Sequence, residues 1–429
     1  MCLIVSSETF APWLEWLDTQ QTMMLEQTIA LASINSGTLH AEGVNRVADA
    51  LIELASGLGG VVERLPVAPY VSVNTQGVKQ ESALGDAVRI AKRPDAPLQV
   101  FFCGHMDTVF PKDSAFQTVT WLDDNTINGP GVADLKGGLL VMLKAIEAFE
   151  RSPWADQIGW QILFNPDEEI GSPSSAALIA EAAEKVDVGM IYEPCMPDGN
   201  LAGARKGSGN FTLVVNGKAA HAGREHHLGR NAIRAVSDFV SALDDLNGQR
   251  DGVTINPGFI RGGGAVNIVP DLCTMRFNIR LERTEDESWC TQHIDALLHQ
   301  LNSRDGIHAE LHGGFGRKPK QLTPANTQLF EWLKACGNAL GMSLSWQPTG
   351  GCCDGNNLAA AGIPNIDTLG VQGGSIHSDQ EYMFVNSLSE RAKLSALLLM
   401  KLATEDTRWL TTTKISTTKT STTGDKPCC

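Results

Sequence analysis

The stretch Leu98-Gln99-Val100-Phe101-Phe102-Cys103-Gly104-His105-Met106-Asp107-Thr108-Val109 sets the frame for the rest of the chain. It opens as a run of apolar, strand-forming residues, stops at a glycine, and then presents a histidine with an aspartate two positions on. An apolar run without alternation predicts a strand buried on both faces, as in a parallel sheet covered by helices. In such open α/β sheets ligands bind beyond the carboxyl ends of the strands, so His105 is delivered to a candidate site. A histidine followed at i+2 by an aspartate also suits a metal ligand whose other ring nitrogen is held by a carboxylate. Alone, the pair reads as a hydrogen-bonded histidine closing a strand. The rest of the chain decides between the two.

Upstream, apolar positions at helical spacing cover Phe10 to Ala32 and again Glu42 to Leu58, the second ended by Gly57 and Gly59-Gly60. Strands are predicted near Val61–Leu65, Tyr70–Val73 and Ala87–Ala91. Downstream, Thr120 to Thr126 predicts a hairpin, and the glycine-rich loop from Gly129 to Gly138 leads into a helix over Leu139 to Phe149. Asp134 in that loop reads equally as a helix cap or as a ligand. A buried strand, Gly159 to Phe164, runs into Asp167-Glu168-Glu169. Three consecutive carboxylates beside a core strand are costly to bring together unless a cation or water neutralises them. The strand Val188 to Tyr192 again ends on a carboxylate, Glu193.

From about Leu201 to His312 the texture changes. Strand (Phe211–Asn216), helix (Arg230–Leu246), two strands (Thr254–Ile260, Leu272–Leu281), helix (Asp286–Leu301) and strand (Ile307–Leu311) give the β-α-β-β-α-β order of a ferredoxin-like unit. Its length of about 110 residues suits an inserted domain. After Gly313-Gly314 the first texture returns, with a loop Gly350-Gly351-Cys352-Cys353-Asp354, a strand over Asn365–Leu369, a loop carrying His377, and a last helix over Leu388–Thr404. The expected organisation is α/β. A catalytic domain with a mixed central sheet flanked by helices is formed by residues 1–200 and 313–410, the inserted domain by 201–312, and a disordered tail by 411–429.

Composition bounds the function. At 429 residues the chain exceeds one ordinary core, and two domains are the natural expectation. The net charge of -15 argues against nucleic acid and against an anionic membrane surface, although local arginines can still hold an anionic small molecule. No apolar stretch reaches about 18 residues, so no transmembrane helix is predicted. Met1–Ser6 lacks the basic segment and full apolar core of a secretory leader. The 10 cysteines show no zinc-ribbon spacing and read mostly as buried apolar residues of a reducing cytoplasm, which is the expected location.

The residues set just past apolar strands and loops are His105, Asp134, Glu168, Glu169, Glu193 and His377. Two histidines and three carboxylates are the ligand set that two first-row divalent ions share in a cocatalytic hydrolase site. One of the adjacent glutamates is then left over. Neighbouring side chains diverge, so one on a metal and the other acting as general base is the economical division.

Five segments carry a family likeness: His105-Met106-Asp107-Thr108-Val109, Gly131-Val132-Ala133-Asp134-Leu135-Lys136-Gly137-Gly138, Asp167-Glu168-Glu169-Ile170-Gly171-Ser172, Tyr192-Glu193-Pro194 and Ile376-His377-Ser378. With them the chain resembles, over nearly its whole length, the dizinc exopeptidase superfamily. That superfamily contains acetylornithine deacetylase, succinyl-diaminopimelate desuccinylase, aminoacylase-1 and bacterial glutamate carboxypeptidase, and the pattern is most similar to the last branch. The resemblance implies a zinc-exopeptidase-like catalytic domain, with the inserted domain as lid and dimerisation unit. His105 and Glu193 would bind one zinc, Glu169 and His377 the other, and Asp134 would bridge both; cobalt or manganese fits similar ligands. Glu168 would be the general base, taking a proton from the bridging water and passing it to the leaving amine. Asp107 would hold His105, and the Asp134-Leu135 peptide would be cis.

The inserted domain adds to the likeness. Gly217-Lys218-Ala219-Ala220-His221-Ala222-Gly223 resembles the segment whose histidine, here His221, reaches a neighbouring subunit's site to stabilise the oxyanion. Gly264-Ala265-Val266-Asn267-Ile268-Val269-Pro270 resembles the segment whose asparagine, here Asn267, contacts substrate. Arg280 matches the arginine that grips the substrate carboxylate. Cys352-Cys353 departs from the Gly-Gly-Gly-Ser/Thr-Asp loop that family members often carry there. That loop lines the substrate pocket in relatives, which makes Gly351 a substrate-binding candidate. The two thiols are either packing groups or determinants of the acyl group or side chain accepted. The implied function is a dizinc metallohydrolase, working as a homodimer, that cleaves an amide bond next to a free carboxylate in a small peptide or N-acyl amino acid. Carboxypeptidase action releasing a C-terminal amino acid such as glutamate comes first, N-acyl-amino-acid deacylation second. A non-catalytic metal-dependent binding protein is the alternative of a different class; the presence of every ligand and of the base speaks against it.

Overall fold

The computed structural model describes residues 7–411, so the expectations for Met1–Ser6 and for the tail beyond residue 411 lie outside the described residues. The centre is a six-stranded mixed sheet. In spatial order its strands are Val61–Leu65, Ala87–Lys92, Ile158–Asn165, Leu98–His105, Val188–Ile191 and Asn365–Ile366. The first three pair antiparallel and the last four parallel.

Leu98–His105 lies inside this sheet, and its side chains alternate between two cores. Val100 and Phe102 pack with Leu139, Met142 and Ile146 on one face; Phe101 and Cys103 pack with Ile179, Ala182 and Leu358 on the other. From Val100 to Cys103 neither face meets water, which is why those four residues are all apolar. Full burial of Phe101 and Phe102 stabilises the fold by about 1.5–3 kcal/mol each. At Gly104 a Cβ would stand 2.6 Å from Leu139 Cδ2. A side chain there would push Leu139 away from the strand end, and His105 comes next.

The second unit follows the predicted order. Gly207–Asn216, Ala232–Asp244, Thr254–Gly262, Leu272–Leu281, Asp286–Asn302 and His308–Arg317 build an antiparallel sheet backed by two helices. The strands lie in the order 254–262, 272–281, 207–216, 308–317, which is the ferredoxin-like arrangement. Leu213, Val215, Met275, Phe277 and Ile279 fill the core against Phe239 and Ile294. The other face of the sheet is largely polar; the Tyr70–Ser82 hairpin covers one end, where Val214 and Thr274 are buried, and the rest lines a cavity.

Several local readings differ from the sequence pattern; the strand expected over Asn365–Leu369, for one, spans only Asn365–Ile366. Phe10 to Ala32 is two helices, Ala11–Asp18 and Gln21–Ala32, because the chain turns at Thr19, whose hydroxyl bonds the Trp16 carbonyl. Lys79–Ser82 is an unpredicted strand; its polar, exposed residues carry no apolar signal, and it exists by pairing with Tyr70–Val73. The strand expected to stop at Leu311 continues to Arg317. Gly313 does not break it. A Cβ there would lie 2.1 Å from the Asn210 carbonyl, so this glycine serves close strand approach. Among the described residues no helix is long and apolar enough to cross a membrane.

Candidate active site

The central sheet gathers the site at one end. His105 closes Leu98–His105, Glu168 and Glu169 follow Ile158–Asn165, and Glu193 follows Val188–Ile191; these strands are parallel neighbours, so their carboxyl ends coincide. Asp134 comes from the turn before Gly137–Glu150, where its peptide to Leu135 is cis. His377 comes from the loop ahead of Tyr382–Phe384.

His105 Nε2 lies 3.1 Å from Asp134 Oδ1 and 3.9 Å from Glu193 Oε2. His377 Nε2 lies 3.3 Å from Asp134 Oδ2 and 3.3 Å from Glu169 Oε2. Within each trio the donor atoms sit within 4.8 Å of one another. Asp134 therefore offers one oxygen to each trio. Glu169 Oε1 is buried without a hydrogen-bond partner. A buried carboxylate oxygen lacking a donor is costly, and a cation relieves it. Imidazole and carboxylate donors in two trios with a shared aspartate fit a pair of divalent first-row ions.

The electrostatics point the same way. Hydrogen bonds to Asp134 and Glu169 raise His377 to about 10. Burial, followed by the charge of Asp134, raises Glu169 to about 8. Burial alone would lower His105, but hydrogen bonds to Asp107 and Asp134 lift it well above the usual imidazole range. Burial and then Glu168 push Glu193 well up. Burial works to raise Asp134 too, yet the two histidines hold it below the usual carboxylate range.

Asp107 organises more than its histidine. Its backbone carbonyl lies 2.9 Å and its Oδ1 3.4 Å from His105 Nδ1. The carboxylate also accepts from Thr38 Oγ1 (2.7 Å), Glu168 N (3.1 Å) and Glu169 N (3.2 Å). One buried side chain thus orients His105 and the turn that carries both glutamates. Asp167 turns elsewhere: it accepts from the Ser174 and Ser175 backbone N–H groups at the start of Ala176–Ala183, and burial raises it to about 6.

Glu168 has a partner that the sequence did not reveal. Its Oε1 lies 2.8 Å from Arg317 Nη2, which also lies 3.3 Å from Asp354 Oδ1 and donates to Ser172 Oγ at 2.8 Å. Burial raises Glu168, and Arg317 acts against that shift. A strand register shift between Ser208 and Gly209 carries Arg317 opposite Ser208. Simple alternation from Phe315 would turn it toward the helices, so no periodicity signals it. Glu381 was missed as well. Its carboxylate accepts from the backbone N–H groups of Gly131, Ala133 and Asp134 and fixes the turn that presents Asp134. A lone glutamate in a polar turn gives no sequence signal.

Arg280 and Gly351 line the same cavity of about 1160 Å³ as Asp134, Glu168, Glu169, Glu193 and His377. Arg280 Nη1 lies 3.0 Å from Cys352 Sγ, and its Nε donates to Asn278 Oδ1 at 3.0 Å. Both cysteines line the cavity. Cys353 is buried, and its thiol also accepts from Gly355 N to cap Asp354–Ala360; Cys352 is the more exposed of the two. His221 and Asn267 are not brought to this cavity. They are exposed neighbours, joined where Ala222 N bonds the Asn267 carbonyl at 2.9 Å, and His221 Nδ1 accepts from the Gly223 and Arg224 N–H groups.

Comparison with known proteins agrees with this architecture. The profile of peptidase family M20/M25/M40 matches residues 101–401. Carboxypeptidase G2 of Pseudomonas sp. strain RS-16 is 28% identical over 394 residues, covering 89% of this chain and 90% of that protein. A succinyl-diaminopimelate desuccinylase of Psychrobacter arcticus is 27% identical over 333 residues, covering 73% and 80%. Among solved structures, the M20 family metallo-carboxypeptidase Sso-CP2 of Sulfolobus solfataricus shares the fold with a TM-score of 0.68 at 18% identity, over 88% of this chain and 98% of that one.

Proposed function

Since the chain belongs to peptidase family M20/M25/M40 and is a metal-dependent hydrolase, we propose that it is a two-metal carboxypeptidase. It releases a C-terminal amino acid, glutamate foremost, from a short peptide or N-acyl amino acid. His105 and Glu193 would hold one ion, Glu169 and His377 the other, and Asp134 would lie between them; zinc is the ion assigned. When bound, such ions polarise the scissile carbonyl and make water a stronger acid. The remaining work falls to side chains of this chain. Glu168 takes the proton of the attacking water and returns it to the leaving amine. Arg317, 2.8 Å away, favours the ionised form that a base requires. Arg280 takes the free carboxylate of the leaving amino acid, a task suited to a planar guanidinium. His221 and Asn267, exposed and away from their own cavity, are suited to complete the cavity of a second copy in a homodimer.

The observation that supports this reading is the pair of trios sharing Asp134, with Glu168 beside them and Arg280 in the same cavity. A second reading, N-acyl-amino-acid deacylation, is favoured by the desuccinylase likeness. Elemental analysis followed by hydrolysis of a panel of peptidyl and N-acyl amino acids tests both. The expected result is about two zinc ions per chain, as the two trios require, and one amino acid released from many acyl partners. One acyl group released from many amines would favour deacylation. No bound metal and no hydrolysis after zinc or cobalt is restored would refute the reading.

A further inference from the structure

The cavity is larger than the amide and its neighbouring carboxylate need. A volume of about 1160 Å³ lies above the range of roughly 300–1,000 Å³ that encloses drug-sized ligands. The four-stranded sheet supplies much of the cavity's lining, and the register fixes which residues stand there. Arg280 stands opposite Ser208, and Ser208 opposite Arg317, which touches Glu168. This row lies over the reaction centre. Two residues along the strands, Asn256, Asn278 and Asn210 form the next row. Two further on, Arg276 stands opposite Thr212, and Thr212 opposite His312. There Arg276 Nη2 donates to the Val73 carbonyl at 2.9 Å, in the hairpin that walls the cavity's other end. The Phe259 ring lies 5.3 Å from its guanidinium carbon.

Four arginines line the cavity. Arg205 pairs with Asp367, and Arg317 with Glu168 and Asp354. Arg276 and Arg280 differ: the first bonds a carbonyl, the second an amide oxygen and a thiol, and neither meets a carboxylate among the described residues. They lie on the same strand and the same face, four residues apart, which is about 13 Å at the rise of a β-strand. Two unpaired guanidinium groups on one cavity wall, in a chain of net charge -15, form a local site for anions.

We propose that Arg276 is a second anion-binding position and that the substrate is a short acidic peptide with two carboxylates. One sits on Arg280 beside the scissile amide; the other sits about 13 Å away on Arg276, a span of about four extended residues. The substrate class rests on the carboxypeptidase reading; the anion site at Arg276 is measurable by itself.

The test uses two acetylated tetrapeptides with the same C-terminal residue, one with Glu and one with Gln at the acetylated end. Each is titrated calorimetrically into the zinc-loaded Glu168→Gln chain and into the same chain carrying Arg276→Gln. The Glu peptide is expected to bind about tenfold more tightly than its twin, with the preference shrinking to less than about twofold in Arg276→Gln. Arg276→Lys is expected to restore part of it, which separates lost charge from lost folding. Arg280→Gln is expected to weaken both peptides alike. Equal binding of the two peptides, or a preference unchanged by Arg276→Gln, overturns the site. A Glu preference that depends on Arg276 while the wild-type chain hydrolyses neither peptide keeps the site and overturns the carboxypeptidase reading.

Discussion

Asp107→Asn changes almost nothing in shape and removes one charge. In the native site Oδ1 accepts from Glu168 N, and Oδ2 accepts from Thr38 Oγ1 and Glu169 N. The residue is 1% exposed, so water cannot substitute. Asparagine has a single acceptor oxygen. Placed at Oδ2 it keeps Thr38 and Glu169 but points its amide group at the Glu168 N–H; flipped, it loses the other two. Either way at least one backbone N–H is left buried without an acceptor, at a cost of about 1–3 kcal/mol, and the surviving bonds lose their charge assistance. Together these predict a fall of about 2–4 kcal/mol in unfolding free energy, measured in urea with a chelator present so that metal binding does not enter. His105 keeps the Asp107 backbone carbonyl at 2.9 Å but loses the carboxylate charge beside Nδ1, so metal affinity, read by competition with a chromogenic chelator, is expected to drop about 10-fold. Thr38→Val removes one donor only and calibrates a single bond to the carboxylate at about 1.5–3 kcal/mol. Metal affinity and kcat/KM of the Asp107→Asn chain within about twofold of wild type, well below the factor expected of such a partner, would refute the view that Asp107 organises the site.

Glu168→Gln is expected to lower kcat by about 10²–10⁴-fold while both metals stay bound; loss of metal along with activity would place Glu168 among the ligands instead. Arg317→Met leaves Glu168 and Asp354 buried without their counter-charge, at a cost of about 3–5 kcal/mol. Removing a cation raises the pKa of the adjacent carboxylate, so the acidic limb of kcat/KM should also move to higher pH; an unshifted limb would mean that Arg317 does not set the state of the base. With His377 raised to about 10 and Glu169 to about 8, this interacting pair retains protons at neutral pH. Metal ligation requires the deprotonated forms, so metal uptake should release protons at pH 7 and strengthen as pH rises toward 8 and beyond. Calorimetry in two buffers of different ionisation enthalpy reads the proton count, and uptake without release would contradict the assignment of both residues.

What the sequence revealed follows from where its signals come from. A strand buried on both faces leaves an unbroken apolar run, and any charged residue just past it is conspicuous; His105, Glu168, Glu169 and Glu193 are of this kind. Asp134 and His377 lie in glycine-rich loops, where composition marked the loop, while the trios formed around the shared aspartate required the folded chain. Arg317 was hidden because a one-residue irregularity in pairing reverses the face that alternation would assign. Glu381 was hidden because its function is to accept backbone N–H groups, which leave no trace in side-chain pattern. Lys79–Ser82 is a strand only through its partner. Arg276 was passed over because one arginine on a polar strand face is ordinary. It is set apart by lacking a carboxylate partner where Arg205 and Arg317 have theirs.

The register shift at Ser208 also bears on how such proteins exchange parts. The ferredoxin-like unit looks like a cassette, with its own core and its own sheet. Yet its last strand lends Arg317 to a carboxylate cluster rooted in the other unit. A transplanted cassette that lacked this arginine, or aligned its final strand by plain alternation, would strand Glu168 and Asp354 as uncompensated buried charges. A chimera of this chain joined within that strand should therefore stay folded only when the incoming piece restores both the arginine and the pairing irregularity.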